Sequence, residues 1–184
     1  TIVPTYFISV GVGTTDGFVA ECRLDKVRHH ITSGGVATAI EADRCSLVNC
    51  ISFNSEASGF DSHMGGIRNM IFENCHAYRK SVSGQPAAAF FGIHGFQMRS
   101  RFIKLNNCSA TGYWVGVYAT QGSDCHIRNF DSYSNMIGVK IGDSPRTSIK
   151  GLRVFGDHAQ AVLIENSGTV TPMERVTVED IEVY

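Results

Sequence analysis

Short runs of β-branched and aromatic residues, broken every few positions by Gly, Asn, Asp or Ser, extend through the whole chain. Within these runs apolar and polar residues alternate with a period of two, and helical periodicity is hard to find. Alternation of this kind is typical of strands that bury one face. The pattern therefore predicts a protein built from many short β-strands.

Six of these runs align in a common register. The first, middle and last positions of the aligned runs are apolar or aromatic in nearly every copy. The position before the middle one carries Asn, Gly or Asp, residue types that tolerate a left-handed backbone, so we expect a sharp corner there. The six runs are LVNCISF (47–53), FENCHAY (72–78), LNNCSAT (105–111), IRNFDSY (127–133), IKGLRVF (149–155) and VEDIEVY (178–184).

A second motif follows these blocks: a glycine or alanine and then a short strand. Most of its copies follow one another at a similar interval, which indicates a minimal unit of roughly 22 residues, and the longest interval holds an inserted loop. Units of this size that hold strands and no helix bury a core only by stacking on one another. The sequence thus predicts one all-β solenoid domain over 1–184. The copies of the second motif begin at Gly59, Gly92, Gly116, Gly138 and Ala161.

The repeat, its Asn-Cys corners and the segment VRHHITSGG (27–35) resemble the right-handed parallel β-helix of pectin-lyase-like proteins. Together with GFDSHMGGIRNMIFENC (59–75) and GFQMRSRFIKLNNC (95–108), that segment resembles the tailspike and neck-appendage proteins of tailed bacteriophages. The resemblance implies a homotrimer that degrades a bacterial surface polysaccharide. It also implies a location in the virion, as a tail or neck appendage, after assembly in the host cytoplasm. We further expect the chain to be part of a longer protein whose capping coils it lacks.

The composition and net charge of the chain limit the kinds of partner that it is expected to bind. Sixteen basic and seventeen acidic residues give a formal net charge of -1, which offers no broad field for nucleic acid or an anionic membrane. No apolar run approaches the roughly 18 residues that a membrane-spanning helix needs. The six cysteines lack the close pairs of a zinc site, and we expect buried free thiols rather than disulfides. No metal and no cofactor is predicted.

Stacked coils place equivalent residues about 4.8 Å apart, so aligned positions become ladders. Taking the residue after each motif glycine as inward predicts an outward face rich in groups that titrate or stack. We expect Asp61, His63 and His94 to be catalytic, because a histidine and a carboxylate can exchange protons with a substrate. Aromatic rings and cations suit sugar rings and anionic sugar substituents. The predicted substrate-binding residues are Arg28, His30, Phe96, Tyr118 and Lys140.

The chemistry on this face has several alternatives. Glycoside hydrolysis, which we favour, uses two carboxyl groups about 5 Å or about 6.5 to 9.5 Å apart. Asp61 is the ladder's one carboxylate, so its companion would come from Glu41, Asp43, Glu56, Glu73 or a neighbouring chain. A histidine–carboxylate set would instead suit β-elimination from a uronate or cleavage of a phosphodiester-linked polymer.

Two further alternatives differ in function. The first is a non-catalytic β-helix of a virion fibre, structural or glycan-binding, which would hold a polysaccharide without cutting it. The second is a relative of cellular pectate lyases or epimerases, which would favour a Lys or Arg base and bound calcium. The sequence lacks the aspartate cluster that such a calcium site would use, and this counts against the second alternative.

Overall fold

The structure, a computed structural model, describes residues 6–10, 19–20, 23–25, 28–30, 35–38, 42–43, 46–53, 58–62, 68–79, 93–156, 159–166 and 173–184. Side chains are described from Ser46 onward, with Phe53 excepted. Every regular element in these ranges is a β-strand, and every pair of neighbouring strands is parallel. Parallel pairing with no intervening helix is the arrangement of a β-solenoid.

The strands form two large sheets and one small one. The first sheet contains β1 (Tyr6–Val10), β5 (Gly35–Thr38), β9 (Phe60–Ser62), β12 (His94–Met98), β15 (Val115–Thr120), β17 (Ile137–Gly142) and β19 (Gln160–Glu165), in that order. The second sheet contains β3 (Arg23–Asp25), β4 (Arg28–His30), β7 (Ser46–Val48), β8 (Ile51–Phe53), β10 (Ile71–Glu73), β11 (His76–Tyr78), β13 (Lys104–Asn106), β14 (Ser109–Thr111), β16 (His126–Tyr133), β18 (Ser148–Phe155) and β20 (Thr177–Val183). The small sheet pairs β2 (Val19–Ala20) with β6 (Ala42–Asp43).

Neighbouring coils stack in a constant register over the later part of the chain. His126 lies opposite Ser148 in the second sheet, and Val115 lies opposite Ile137 in the first, so both sheets advance by the same step along the sequence. Crossovers between parallel strands of one sheet are right-handed in nearly all proteins. The fold is therefore a right-handed parallel β-helix, as the sequence predicts.

The corner of each coil lies where the sequence places it. The residue before the middle position of every aligned run has a positive φ, between 50° and 72°, which is the left-handed region. The four asparagine corners are also linked in two pairs by side-chain bonds: Asn74 donates to Asn49 at 3.0 Å, and Asn129 donates to Asn107 at 3.0 Å. The corner residues are Asn49, Asn74, Asn107, Asn129, Gly151 and Asp180.

The core lies between the sheets and is made of stacked columns. Leu47, Phe72, Leu105, Ile127 and Ile149 occupy one column in paired register, and all are buried. The four cysteines whose side chains the structure describes are buried and free, as expected. They are Cys50, Cys75, Cys108 and Cys125.

A column of glycines sets the register of the first sheet. A Cβ on Gly95 would approach the carbonyl oxygen of Gly116 to 2.6 Å, and a Cβ on Gly116 would approach that of Gly138 to 2.5 Å. Gly59 faces Gly95 in the same way, at 2.8 Å. The structural repeat therefore runs through Gly95, and the prediction that used Gly92 is wrong by three positions.

The shift moves Phe96 from the surface into the core. Phe96 lies opposite Phe60 and Val117, has no exposed surface, and stacks on Phe60 with ring centroids 4.9 Å apart. Alternation along β12 turns Gln97 outward between the buried Phe96 and Met98. The prediction that Phe96 binds substrate on the outward face is therefore wrong.

Candidate functional site

The two basic residues at the start of the predicted ladder lie in a different sheet from Asp61. Arg28 and His30 belong to β4, which pairs with β8, so Arg28 lies opposite Ile51. The residue that does lie opposite Asp61 on the preceding coil is Ala37. The sequence prediction located the preceding coil by counting back from Phe60 by the longest interval of the repeat. The coil before Phe60 has a different length, so Val36 rather than Val27 lies opposite Phe60. The prediction that placed Arg28 and His30 on the face of Asp61 is wrong, and His63 lies outside the described residues.

The outward face of the first sheet does bring together three of the predicted residues. Asp61 lies opposite Gln97, Gln97 opposite Tyr118, and Tyr118 opposite Lys140. Gln97 thus occupies the level at which the sequence predicted His94. We call the surface formed by Asp61, His94, Gln97, Arg99, Tyr118 and Lys140 the outer cluster.

His94 reaches this cluster from the start of its strand. Its backbone lies opposite Val115, yet its imidazole is 4.9 Å from the ring of Tyr118, centroid to centroid. His94 is 7% exposed, and burial lowers its pKa to about 4, with further lowering from the charges of Arg99 and Lys140. A hydrogen bond with Gln97 offsets part of this shift. At neutral pH the imidazole is uncharged and has a lone pair that can accept a proton.

Arg99 is a cluster residue that the sequence prediction missed. Its Nη2 lies 3.4 Å from Asp61 Oδ2 and also donates to Gln97 Oε1. Ser58 Oγ donates to the same amide oxygen at 3.0 Å, which fixes the orientation of Gln97. The aligned segments GFDS (59–62) and GFQM (95–98) hold the signal for this register, because they place Arg99 two positions after the level of Asp61.

Lys140 closes the far side of the cluster. Its Nζ lies 5.0 Å from the centroid of the Tyr118 ring, within the range of a cation–π contact. The same ammonium forms a 2.7 Å ion pair with Glu165 on the next coil. Arg99 and Lys140 therefore place a positive charge on either side of the His94–Tyr118 pair.

Two buried nitrogen atoms in the cluster face no acceptor or donor. His94 Nδ1 and Arg99 Nε have no hydrogen-bond partner among the described residues. Buried polar atoms in native proteins are almost always bonded to protein or to water, so a water or a ligand group that enters the cluster would find two hydrogen-bonding atoms there. The cluster thus contains a neutral imidazole, a phenol and two cations, and an anionic ligand would share these cations with Asp61 and Glu165.

Candidates for a second carboxylate lie elsewhere or are undescribed. Glu73 lies in the second sheet, where it accepts hydrogen bonds from Asn106 at 3.0 Å and Asn107 at 2.7 Å. Glu165 is on the first sheet but four coils from Asp61, roughly 19 Å at about 4.8 Å per coil. Glu41, Glu56 and the side chain of Asp43 lie outside the described residues.

The described part of the chain shows neither a metal cluster nor a helix of membrane-spanning character. Among the side chains that the structure describes, no three His, Cys, Asp or Glu residues are grouped so that they could hold a metal ion. Within the described ranges no helix has the length and apolar character needed to cross a membrane.

Comparison with known proteins supplies one sequence relative. No protein-family model matches the chain. Over 89 residues, 48% of this chain, it is 35% identical to the capsule K1-specific depolymerase of Klebsiella phage K64-1. The match covers 9% of that relative's length.

Solved structures with a similar fold share little sequence with the chain. The A-module of the mannuronan C-5 epimerase AlgE4 of Azotobacter vinelandii aligns with 90% of this chain and 61% of its own, at 12% identity and a TM-score of 0.48. The gp42 tailspike of Acinetobacter phage vb_AbaP_AS12 aligns with 97% and 38%, at 10% identity and a TM-score of 0.45. Neither likeness carries a substrate or a catalytic residue to this chain. The chain is a parallel β-helix similar in sequence to part of a phage capsule depolymerase.

Proposed function

We propose that the protein is a depolymerase that cleaves a bacterial capsular polysaccharide on the outer cluster, by β-elimination next to a uronate. The observation that carries the proposal is the neutral, buried His94 in ring contact with Tyr118, flanked by Arg99 and Lys140. The sequence similarity to a capsule K1-specific depolymerase supports a capsule as the substrate. That relative makes the Klebsiella K1 capsule the first substrate to test.

In this mechanism His94 is the base. Its lone pair takes the proton from the carbon that carries the uronate carboxylate. The electrons of that C–H bond form a carbon–carbon double bond, and the bond from the neighbouring carbon to the glycosidic oxygen breaks. Tyr118 donates its phenolic proton to the leaving oxygen, and proton exchange with water restores both side chains. The reaction consumes no water in the bond cleavage.

The cations of the cluster make the proton easier to remove. A uronate carboxylate between Arg99 and Lys140 would compete with Asp61 and Glu165 for these cations, and the contacts it gains would stabilise the carbanion-like transition state. The same carboxylate would counter the two cations that lower the pKa of His94. Substrate binding is therefore expected to raise the pKa of His94 towards its usual value, making the imidazole a stronger base where it is needed.

Asp61 has a positioning role in this proposal. Its carboxylate is paired with Arg99, whose guanidinium also holds Gln97. A carboxylate engaged with a cation suits the orientation of that cation better than proton donation to a leaving group. The distance to Glu165, roughly 19 Å at about 4.8 Å per coil, lies well beyond the separations of paired glycosidase carboxylates. We favour elimination over the hydrolysis that the sequence alone suggested because, among the described side chains, a neutral histidine rather than a second carboxylate lies beside Tyr118.

The assembly of the protein is part of the same proposal. A capsule depolymerase of a phage acts from the virion, and a homotrimeric tail or neck appendage assembled in the host cytoplasm remains our prediction. Gel filtration with light scattering of the protein tests the trimer.

The experiment for this proposal compares cleavage of purified Klebsiella K1 capsular polysaccharide by three variants. We expect His94→Gln and Tyr118→Phe to lower kcat at least roughly a hundredfold, the usual contribution of an acid–base group. Tyr184→Phe, which removes a hydroxyl just after the last strand of the second sheet, is the matched control and should cleave normally. Binding of the polymer without cleavage by the unaltered protein would favour a non-catalytic glycan-binding β-helix.

A further inference from the structure

The part of the second sheet that follows the asparagine corners has two outward columns, and both contain one small residue at the same coil. In the first column His76 lies opposite Ser109, Ser109 opposite Asp131, and Asp131 opposite Arg153. In the second, Thr111 lies between Tyr78 and Tyr133. The coil that carries Ser109 and Thr111 is therefore recessed between larger neighbours. We call this recess the Thr111 notch.

An open cleft of about 260 Å³ adjoins the notch. Hydrogen-bonding groups with fixed positions line it. His76 Nδ1 and Ser109 Oγ are 2.8 Å apart, and Tyr133 donates its hydroxyl to Asp131 at 3.3 Å. Arg153 holds the same carboxylate through two bonds, at 2.7 Å and 2.8 Å. Several donors and acceptors thus converge on one recessed surface.

Aromatic rings stack along the second column on one side of the notch. The rings of Tyr133 and Phe155 stack with centroids 4.8 Å apart, and those of Phe155 and Tyr184 repeat that spacing. Thr111 interrupts the aromatic character of the column between Tyr133 and Tyr78, which are two coils apart, or about 9.6 Å. A flat ring at the level of Thr111 would lie about 4.8 Å from the level of each tyrosine.

We propose that the Thr111 notch binds a neutral sugar residue of a polysaccharide chain. The sugar ring takes the place that a stacked aromatic ring would occupy, between Tyr78 and Tyr133, which are 41% and 36% exposed. Its hydroxyls bond to the cleft groups that Ser109, Asp131 and Arg153 supply. Apolar ring faces flanked by fixed donors and acceptors are the combination that sugars use in protein sites.

The charges of the cleft favour a neutral sugar over a uronate or phosphate. The guanidinium of Arg153 is already matched by Asp131 through two bonds, so the pair has no net charge to offer an anion. In the outer cluster the ion pairs are less complete, because Arg99 approaches Asp61 through one nitrogen at 3.4 Å and Lys140 pairs with Glu165, whose side chain is 48% exposed. The notch is on the other large sheet, so it is a second binding site that does not depend on the chemistry proposed for the first.

A substitution that fills the notch tests the site most directly. Thr111→Tyr would complete the aromatic column, as Tyr133, Phe155 and Tyr184 already do on the coils above, and would exclude the sugar. Thr111→Val keeps the shape of threonine and leaves the notch open, so it is the matched control. Both are made in a His94→Gln background, so that bound polymer is not cut, and binding is measured on an immobilised panel of purified bacterial capsular polysaccharides.

We expect Thr111→Tyr to weaken binding of at least one polymer roughly three- to tenfold, and Thr111→Val to leave it unchanged. Arg153→Ala should weaken binding to a similar extent, whereas Lys150→Ala, which removes a cation from the same strand outside the cleft, should not. Thermal melting of each variant checks that the fold is intact. A Thr111→Leu variant fills the notch with a smaller side chain and replaces Thr111→Tyr should that variant fail to fold.

Three results would overturn the second site: equal affinities for the filled and open variants, no binding to any polymer of the panel, or an effect confined to self-association in sedimentation experiments. The outcome is separate from that of the proposed cleavage. A protein that cuts no capsule, yet binds one in a manner that depends on Thr111 and Arg153, would refute the elimination proposal and support the notch. Thr111→Tyr is therefore also made with His94 intact: normal cleavage by that variant, together with unchanged binding by its His94→Gln counterpart, would refute the notch and leave the cleavage proposal standing.

Discussion

The imidazole of His94 and the phenol ring of Tyr118 are 4.9 Å apart, centroid to centroid, with their planes inclined at 41°. The two residues come from adjacent strands of the first sheet but are not opposite each other, because His94 is in register with Val115. Their contact places an uncharged base beside a potential proton donor. Both the activity and the acid stability of the protein should therefore depend on this pair and on the residues that hold it.

The buried histidine should make the protein sensitive to mild acid. The pKa of His94 is about 4 in the fold and 6.5 when exposed, so between these values the unfolded chain binds a proton that the folded chain does not. The free energy of unfolding should fall by up to about 3 kcal/mol as the pH drops from about 6.5 to about 4. His126, whose pKa burial also lowers, acts in the same direction.

Urea unfolding between pH 7 and pH 4 measures this effect. His94→Gln, which stays neutral, should flatten the slope in that range, leaving the smaller contribution of His126. Asp124, whose pKa is lowered to about 2 chiefly by its hydrogen bond from Arg146, should contribute below pH 3.8. An unchanged slope in His94→Gln would mean that the imidazole is not held neutral by burial.

Alanine substitutions at two glycines should affect stability and activity separately. A Cβ on Gly95 would meet Ala110 Cβ at 2.5 Å and the Gly116 oxygen at 2.6 Å, so Gly95→Ala should destabilise the stack by roughly 1–3 kcal/mol. A Cβ on Gly142 would meet only the Tyr118 ring among its nearest atoms, at 3.2 Å. We expect Gly142→Ala to keep nearly the same melting temperature and to lower kcat by displacing the ring. A large loss of stability in Gly142→Ala would show that the space beside Tyr118 serves packing.

The pairing of Asp61 with Arg99 should matter for activity more than for folding. Asp61→Asn removes the charge that holds a guanidinium beside the cluster, and we expect capsule cleavage, measured as kcat/KM, to fall at least roughly tenfold. Asp124→Asn is the control, because Asp124 forms a 2.7 Å pair with Arg146 in the segments that precede β16 and β18 of the second sheet. Equal activities of the two variants would place the catalytic centre away from Asp61.

The corners should tolerate glycine better than alanine. Asn107 has a φ of 51°, and a non-glycine residue without a suitable polar side chain loses about 1–2 kcal/mol in this region. Asn107 also donates to Glu73 and accepts from Asn129, so either substitution removes those bonds. Denaturant titration should show that Asn107→Ala is less stable than Asn107→Gly. Equal losses of stability in the two variants would argue that the side-chain bonds, rather than the backbone, decide the residue type.

The sequence predicted the second sheet better than the first, for a physical reason. The first and middle columns of the six aligned runs mark buried positions, although the last column faces outward, and an Asn, Asp or Gly marks each left-handed corner, so register there is over-determined. The first sheet has only a glycine and a few alternating residues in each coil. The segment GIHGF (92–96) offers two glycines, and the close contact that selects Gly95 becomes visible only when the coils are stacked.

The weak register signal of the first sheet also explains which site residues were predicted correctly and which were not. Asp61, Tyr118 and Lys140 share one ladder because their coils were aligned on the correct glycines. Arg28 was assigned by counting back across a coil of different length, and Phe96 by a register three positions off. Arg99 was missed because only the corrected register, which aligns Gly95 with Gly59, places it next to the level of Asp61. Its contact with Asp61 across neighbouring strands is a property of the stack rather than of either segment.

The central claim, cleavage by elimination on the outer cluster, is tested most directly by the masses of the fragments released from purified Klebsiella K1 capsular polysaccharide. Elimination predicts fragments that carry an unsaturated end and whose masses sum to that of the uncut chain, with their formation lost in His94→Gln. Saturated fragments whose masses together exceed that of the uncut chain by one water for each bond cleaved, or unsaturated fragments formed equally well by His94→Gln, would contradict it.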